Sequence, residues 1–284
     1  MRRTITSLRP RASPRLRVPG PMAAALRLGP QAPPLRLLAT EAPRAALEMA
    51  ALVATSPLLA LGRRGDGHRV LVLPGLLGGD RSTLLLRRYL TYLGYTVSGW
   101  QLGANVGPTE AVVSGLRARL AKLADESGGP VSIVGWSLGG LYAHELARRA
   151  PASVRQVITM GSPVRLAGRG GRAGRASRTG SALFDRFSHL QVAPSLAARP
   201  WSESGALRVP ATAIYTRSDG VVAWRSCLLP SARRRENVEV YGSHVGLAHN
   251  PAVLHLLADR LHRRAGVWRP FAPALAVRPF YPSP

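Results

Sequence analysis

The chain has 284 residues, 46% of them hydrophobic, which is enough for one large α/β domain or two small ones. Its single cysteine excludes an intrachain disulfide and a cysteine-based metal cluster. The net charge is +25, almost all from arginine, but no recognition helix, zinc-ligand spacing or aromatic–basic platform accompanies it, so specific nucleic-acid binding is disfavoured.

Residues 1–38 are predicted to form a basic, Pro/Arg-rich disordered extension. The first 40 residues contain eight arginines and no acid, and recurring prolines interrupt both an apolar signal sequence and an amphipathic transit helix. A peripheral contact with an anionic membrane is one expectation for this extension. Translation from Met22 instead of Met1 is an alternative. No apolar run is long enough to span a bilayer, so we expect a cytoplasmic protein.

Strands and helices alternate through the first part of a domain predicted over residues 39–268. The predicted elements are a helix at 40–61 with Thr40 as N-cap, a strand at 68–74, a helix at 82–93, a strand at 95–100, a helix at 108–126, a strand at 131–134, a helix at 138–149 and a strand at 154–160. Continuously apolar strands are typical of strands buried on both faces. The pattern predicts an α/β fold with a mostly parallel sheet and helices on both faces.

The alternation stops at residues 161–209, which are predicted to form a short, irregular cap-like insertion. A short helix is expected there at 182–190. Predicted elements then resume with strands at 211–216 and 238–241 and a closing helix at 251–263. Residues 269–284 contain five prolines and are predicted to be a tail that forms an ordered or half-ordered strap.

A strand runs directly into a helix through Gly135-Trp136-Ser137-Leu138-Gly139. The Gly-x-Ser-x-Gly pattern in this context predicts a nucleophile elbow, in which a strained turn exposes the serine hydroxyl above the sheet. The alternative is a glycine-rich turn on a sheet without catalytic function. Ser137 is therefore the candidate nucleophile. Cys227 is disfavoured, because no histidine motif surrounds it.

A serine hydroxyl needs a neighbouring base, and that base needs an orienting acid. His244 follows the last predicted strand directly and is favoured over His249, which is expected to pack at the start of the closing helix. Asp219 follows a buried strand and so lies at the carboxyl edge of the sheet, where open α/β sheets place their sites. Its alternative role is that of a turn residue before Gly220.

Two backbone amides are predicted to bind an oxyanion. One belongs to Leu138, the residue after the nucleophile, and the other to Leu76 in the glycine-rich loop that follows the first strand. No metal site and no cofactor are expected.

Three segments resemble the α/β-hydrolase superfamily, particularly its lipase and esterase branch. They are Leu73-Pro74-Gly75-Leu76, Gly135-Trp136-Ser137-Leu138-Gly139-Gly140, and Gly242-Ser243-His244 followed by Pro251. The resemblance covers residues 66–264 and implies the superfamily's fold and a Ser137–Asp219–His244 triad. It departs from the superfamily at Pro74, where many members have histidine, and in the short, arginine-rich cap-like insertion.

These features predict a serine hydrolase that cleaves a small-molecule or lipid ester through an acyl-enzyme. Acyl transfer by the same triad is an alternative, because another alcohol or thiol can replace water. A catalytically silent binding protein and a basic binder that uses residues 1–38 are further alternatives. Dehalogenation and epoxide opening would need an aspartate nucleophile, and the serine at position 137 disfavours both.

Overall fold

Six parallel strands form the centre of the computed structural model, which describes residues 33–164 and 207–282. The strands are β1 (Arg69–Leu73), β2 (Thr96–Ser98), β3 (Val131–Trp136), β4 (Val154–Met160), β5 (Ala211–Tyr215) and β6 (Arg235–Glu239). Their order across the sheet is β2-β1-β3-β4-β5-β6, and every neighbouring pair is parallel. The predicted α/β class with a parallel sheet is therefore confirmed.

Helices cover both faces of this sheet. They are α1 (Leu35–Ala39), α2 (Glu41–Ala60), α3 (Leu84–Tyr92), α4 (Glu110–Ser127), α5 (Leu138–Arg149) and α6 (Pro251–His262). One buried apolar cluster lies between the sheet and helices α4 and α5. A second lies on the opposite face, under α2, α3 and α6. The predicted placement of helices on both faces is confirmed.

Strand β3 shows why continuous apolarity indicated a central strand. Ile133 belongs to the cluster under α4 and α5, and its neighbour Val134 belongs to the opposite cluster. Both side chains are fully buried. Because successive side chains of a strand point to opposite faces, a strand covered on both sides needs apolar residues at every position. This central strand leads directly to Ser137.

Three local predictions were wrong. The last strand is Arg235–Glu239 instead of 238–241, because it is an edge strand whose residues are mostly half-buried and polar. Thr40 occupies the predicted N-cap position of α2 but does not make the capping hydrogen bond; its hydroxyl donates instead to the carbonyls of Arg36 and Leu37. Residues 35–39 are helical, so the predicted disordered extension cannot reach residue 38. Residues 1–32 lie outside the described part of the chain.

The C-terminal tail packs against α6. Tyr281 is buried, and its hydroxyl donates to the Ala252 carbonyl at 2.8 Å. Its ring contacts Phe271 edge to face. Within residues 33–164 and 207–282, no helix combines the length and apolarity needed to cross a bilayer.

Candidate active site

Ser137 occupies the sharp turn between β3 and α5. Its φ of 52° and ψ of −118° place it in a backbone region that non-glycine residues rarely adopt. The turn leaves no room for side chains beside it, since a Cβ on Gly135 would lie 2.5 Å from the Gly139 carbonyl oxygen. The Ser137 amide donates to the Met160 carbonyl of β4 at 2.8 Å. The strand, turn and helix therefore have the geometry of a nucleophile elbow.

Asp219 and His244 meet Ser137 from two loops on the carboxyl side of the sheet. The His244 Nδ1–H donates to Asp219 Oδ2 at 2.7 Å, and the Ser137 hydroxyl donates to His244 Nε2 at 3.0 Å. The other Asp219 oxygen accepts from the amides of Val221 and Val222. All three side chains are buried. The structure thus brings the three predicted residues into one hydrogen-bonded chain.

The environment of His244 acts on its pKa in two opposing directions. Burial lowers the pKa, because the charged ring loses its hydration. The charge of Asp219, its hydrogen bond and the charge of Glu41 all raise it, and together they prevail, so the pKa lies above its ordinary value. The imidazolium formed when His244 accepts a proton is therefore stabilised.

The loop after β1 passes beside the serine. A Cβ on Gly75 would lie 3.2 Å from the Ser137 Cβ. Among the described residues, neither the Leu76 amide nor the Leu138 amide has a hydrogen-bond acceptor. The Leu138 amide is unpaired because it begins α5 and has no carbonyl four residues before it within the helix. Both predicted donors thus remain available to a bound oxyanion.

Asn105 holds this loop after β1, and the sequence did not point to it. Its side-chain amide donates to the Pro74 carbonyl at 2.9 Å. Its backbone accepts from the Leu77 amide and donates to the Gly78 carbonyl, both at 2.8 Å. Leu77 has a φ of 60°, and these contacts on both sides of it offset the strain of that conformation. Asn105 is fully buried and follows an irregular loop, so no motif marked it.

Helix α2 contributes two carboxylates, the buried Glu41 and the half-buried Glu48, to the loop that carries His244. Glu41 accepts from the amides of His244 and Val245, at 3.1 and 2.9 Å, and from the Gly220 amide at 2.8 Å. Glu48 accepts from the Ser243 amide at 2.7 Å and from its hydroxyl at 2.6 Å. These two residues lie about two hundred positions before the loop, and no local pattern connected them with the site.

His249, two further histidines of α6 and Cys227 have structural roles in the described part of the chain. His249 donates to the Ala45 carbonyl at 3.0 Å, in keeping with its expected packing role. His255 lies 2.7 Å from the Tyr281 hydroxyl, and His262 bonds the Arg64 carbonyl. Cys227 is buried, and burial raises its pKa, so it stays a thiol.

Most of the predicted cap-like insertion, residues 165–206, lies outside the described residues, as does the predicted helix at 182–190. In the described part, no group of three histidine, cysteine or carboxylate side chains is placed to hold a metal ion.

No protein-family model and no curated protein sequence matches the chain. Solved structures do match the chain in fold. The carboxylesterase EstE1, cloned from a metagenomic library, superposes with a TM-score of 0.53 at 16% identity over 72% of this chain and 82% of its own. Aspergillus fumigatus lipase B superposes with a TM-score of 0.51 at 18% identity over 70% of this chain, which spans only 54% of that enzyme. At such identities the likeness concerns the fold. Together with the parallel sheet and the strand–turn–helix at Ser137, it shows that this chain has the α/β-hydrolase fold.

Proposed function

We propose that this protein hydrolyses a carboxylic ester through an acyl-enzyme formed on Ser137. The observation that carries the proposal is the hydrogen-bonded chain from the Ser137 hydroxyl through His244 to Asp219. A serine in this arrangement is activated by its base, and the base is held in the required tautomer by the acid. The likeness of the fold to that of lipases and esterases supports the same class of reaction.

In the first half-reaction, the Ser137 oxygen forms a bond to the ester carbonyl carbon while His244 Nε2 takes the hydroxyl proton. The amides of Leu76 and Leu138 would hold the resulting oxyanion; such a donor typically contributes about 3 kcal/mol. The carbon–oxygen bond to the alcohol then breaks, and His244 gives its proton to the departing alcohol. Asp219 stabilises the charged His244 between these two transfers.

In the second half-reaction, water replaces the alcohol. His244 takes a proton from the attacking water while the water oxygen bonds to the acyl carbon. The bond from that carbon to the Ser137 oxygen then breaks, the acid product departs, and His244 returns the proton to the Ser137 oxygen. The cycle consumes one ester and one water, and no metal or organic cofactor enters it. The expected substrates are small-molecule or lipid esters.

The test is labelling by a fluorophosphonate together with turnover of aryl esters of increasing chain length. The wild type should be labelled on Ser137, and Ser137→Ala should lose about 10⁴-fold or more of kcat. Ser114→Ala is the matched control, since this serine lies on the exposed side of α4 and bonds only carbonyls of its own helix. It should keep full activity.

Failure of the folded wild type to be labelled would contradict the proposal and favour a binding protein. Labelling with fast product formation only when an alcohol or thiol acceptor is added would favour acyl transfer.

A further inference from the structure

The solvent-exposed face of α2 is apolar along the whole helix. Of the exposed residues between positions 41 and 61, only Ser56 is polar, and none is charged. Four of them are large, with exposed fractions of 70% for Leu47, 69% for Val53, 70% for Leu58 and 82% for Leu61. The other exposed positions are alanines and prolines. We call this surface the outer face of α2.

The charged residues of α2 lie on the opposite side. Glu41 and Glu48 accept hydrogen bonds from the His244 loop, and Arg44 donates to the Ser218 carbonyl at 2.7 Å. A surface helix of a globular protein normally has the reverse arrangement, with charges toward water. A contiguous exposed apolar surface of this kind marks a site of interaction with another molecule.

The surroundings of the outer face are basic. Arg36 is exposed just before α2, and Arg63 and Arg64 are exposed just after it. The only acids between residues 33 and 65 are Glu41 and Glu48, which are turned inward. In the sequence, the 32 residues before the described part contain seven arginines and no acid. An apolar face with arginines at both ends complements a surface that is anionic outside and apolar beneath.

Two other occupants are less well matched in charge. A second copy would bring its own net charge of +25 and align arginines with arginines. Residues 165–206 of the same chain contain seven arginines and two acids, so they too are basic. We infer that the outer face of α2 is a peripheral docking surface for an anionic phospholipid bilayer, with α2 lying in the plane of the interface.

The inference rests on exposure and charge and is independent of the proposed ester hydrolysis. It does place the bilayer near the candidate active site, because Glu41 at the start of α2 bonds the Val245 amide. Val245 itself is 42% exposed, and Leu77 in the loop after β1 is 43% exposed. Each of the two loops that flank Ser137 thus carries an exposed apolar side chain.

The experiment is flotation of the full chain with vesicles of phosphatidylcholine alone or mixed with phosphatidylglycerol. The wild type should float with the mixed vesicles and much less with the neutral ones, and added salt should weaken binding. Leu47→Ser/Leu58→Ser should reduce the partition coefficient roughly tenfold or more. Val267→Ser/Leu275→Ser is the matched control, because both residues are exposed apolar residues of the C-terminal segment. It should bind like the wild type.

Several outcomes would overturn the inference. Wild type that stays unbound, or a Leu47→Ser/Leu58→Ser variant that floats as well as wild type, excludes the outer face as a bilayer surface. A dimer that the same variant dissociates, in the absence of vesicle binding, assigns the face to a second copy. A lowered melting temperature of the variant without vesicle binding by wild type assigns it to a segment of the same chain. Flotation requires no turnover, so these results are separable from the test on Ser137.

Discussion

At the scale of single residues, the site depends on side chains whose hydrogen-bonding groups are nearly all used. Both oxygens of Asp219 and both ring nitrogens of His244 have partners. Asn105 has the same character, since its carboxamide oxygen accepts from the Tyr142 hydroxyl at 3.0 Å while its nitrogen holds Pro74. A buried side chain with this many partners is held in one orientation, and it therefore fixes the position of the loop to which it is bonded.

Asn105→Ala should lower kcat about tenfold and leave KM within about twofold, because the Leu76 amide would no longer be held where the oxyanion forms. Steady-state kinetics on an aryl ester would measure both. Stability should fall by about 2 kcal/mol through the lost hydrogen bonds.

Asn237→Ala is the control for this loss of stability. Asn237 lies in edge strand β6. Its side chain bonds the amide and the carbonyl of Leu229, in the loop before that strand, at 2.6 and 3.1 Å. This variant should also be destabilised but keep its kcat. An unchanged kcat in Asn105→Ala, or an equal loss in both variants, would show that Asn105 supports only the fold.

At the scale of elements, α2 joins two loops that are far from it in the sequence. Glu41 accepts a hydrogen bond from the backbone amide of His244, the candidate base. It also accepts one from the amide of Gly220, the residue after the candidate acid. Arg44 adds contacts to the Ser218 and Gly242 carbonyls at 2.7 and 3.1 Å. The inner face of α2 thus positions both Asp219 and His244.

Glu41→Gln should shift the acidic limb of kcat/KM to lower pH. His244 must be neutral to take the serine proton, so activity is lost as the pH falls through its pKa. The Glu41 charge helps to raise that pKa, and removing it lowers the pKa. The kcat at the plateau should also fall, about tenfold, because an amide group of Gln would face the Val245 N–H.

The control is Glu126→Gln, which removes a carboxylate at the opposite end of the sheet, where Glu126 pairs with Arg69 at the start of β1. It should change neither the pH profile nor kcat. A pH profile of Glu41→Gln that superposes on wild type would refute an electrostatic role for Glu41.

At the scale of the whole molecule, Arg260 connects α6, β6 and the C-terminal tail. It is almost fully buried, bonds Glu236 at 2.7 Å, pairs with Asp259 and donates to the Arg269 carbonyl at 2.8 Å. The Asp259 pKa is lowered: burial raises it, but the hydrogen bonds and charges of Arg260 and Arg263 together outweigh burial. Unlike the exposed arginines of this basic chain, Arg260 is buried and has a structural role.

Arg260→Met should destabilise the fold by about 3 kcal/mol at neutral pH, because Glu236 would lose its cationic partner and Asp259 would keep only Arg263. The pKa of Asp259 is depressed in the folded state, so its contribution is present at neutral pH and is lost as the pH falls through that folded pKa. The difference between variant and wild type should therefore shrink in acid. Urea unfolding at several pH values would measure it.

Lys122→Met is the comparison, since Lys122 is exposed and its nitrogen lies 3.8 Å from Glu126. Its effect should stay below about 1 kcal/mol at every pH. A loss in Arg260→Met that does not depend on pH would refute the linkage to Asp259.

The sequence by itself determined the parallel sheet, the turn at Ser137 and the pairing of a late acid with a later histidine. Apolar runs, helical periodicity and a Gly-x-Ser-x-Gly spacing are local signals, because they arise from the burial and backbone needs of consecutive residues. The edge strand at Arg235–Glu239 was misplaced for the same reason: half-exposed strands have a weaker apolar pattern.

Only the tertiary structure decided which groups support Ser137, Asp219 and His244. Glu41 and Glu48 act on a loop some two hundred residues away, and Asn105 acts on a loop about thirty residues before it. Helix α1 has only five residues and gains contacts from elsewhere, since Arg44 bonds the Leu37 carbonyl at 2.8 Å. Contacts between distant segments leave no periodicity in the sequence, so their partners become visible only once the chain is folded. The catalytic roles of Ser137, Asp219 and His244 stay a prediction, for which the structure supplies the required proximity.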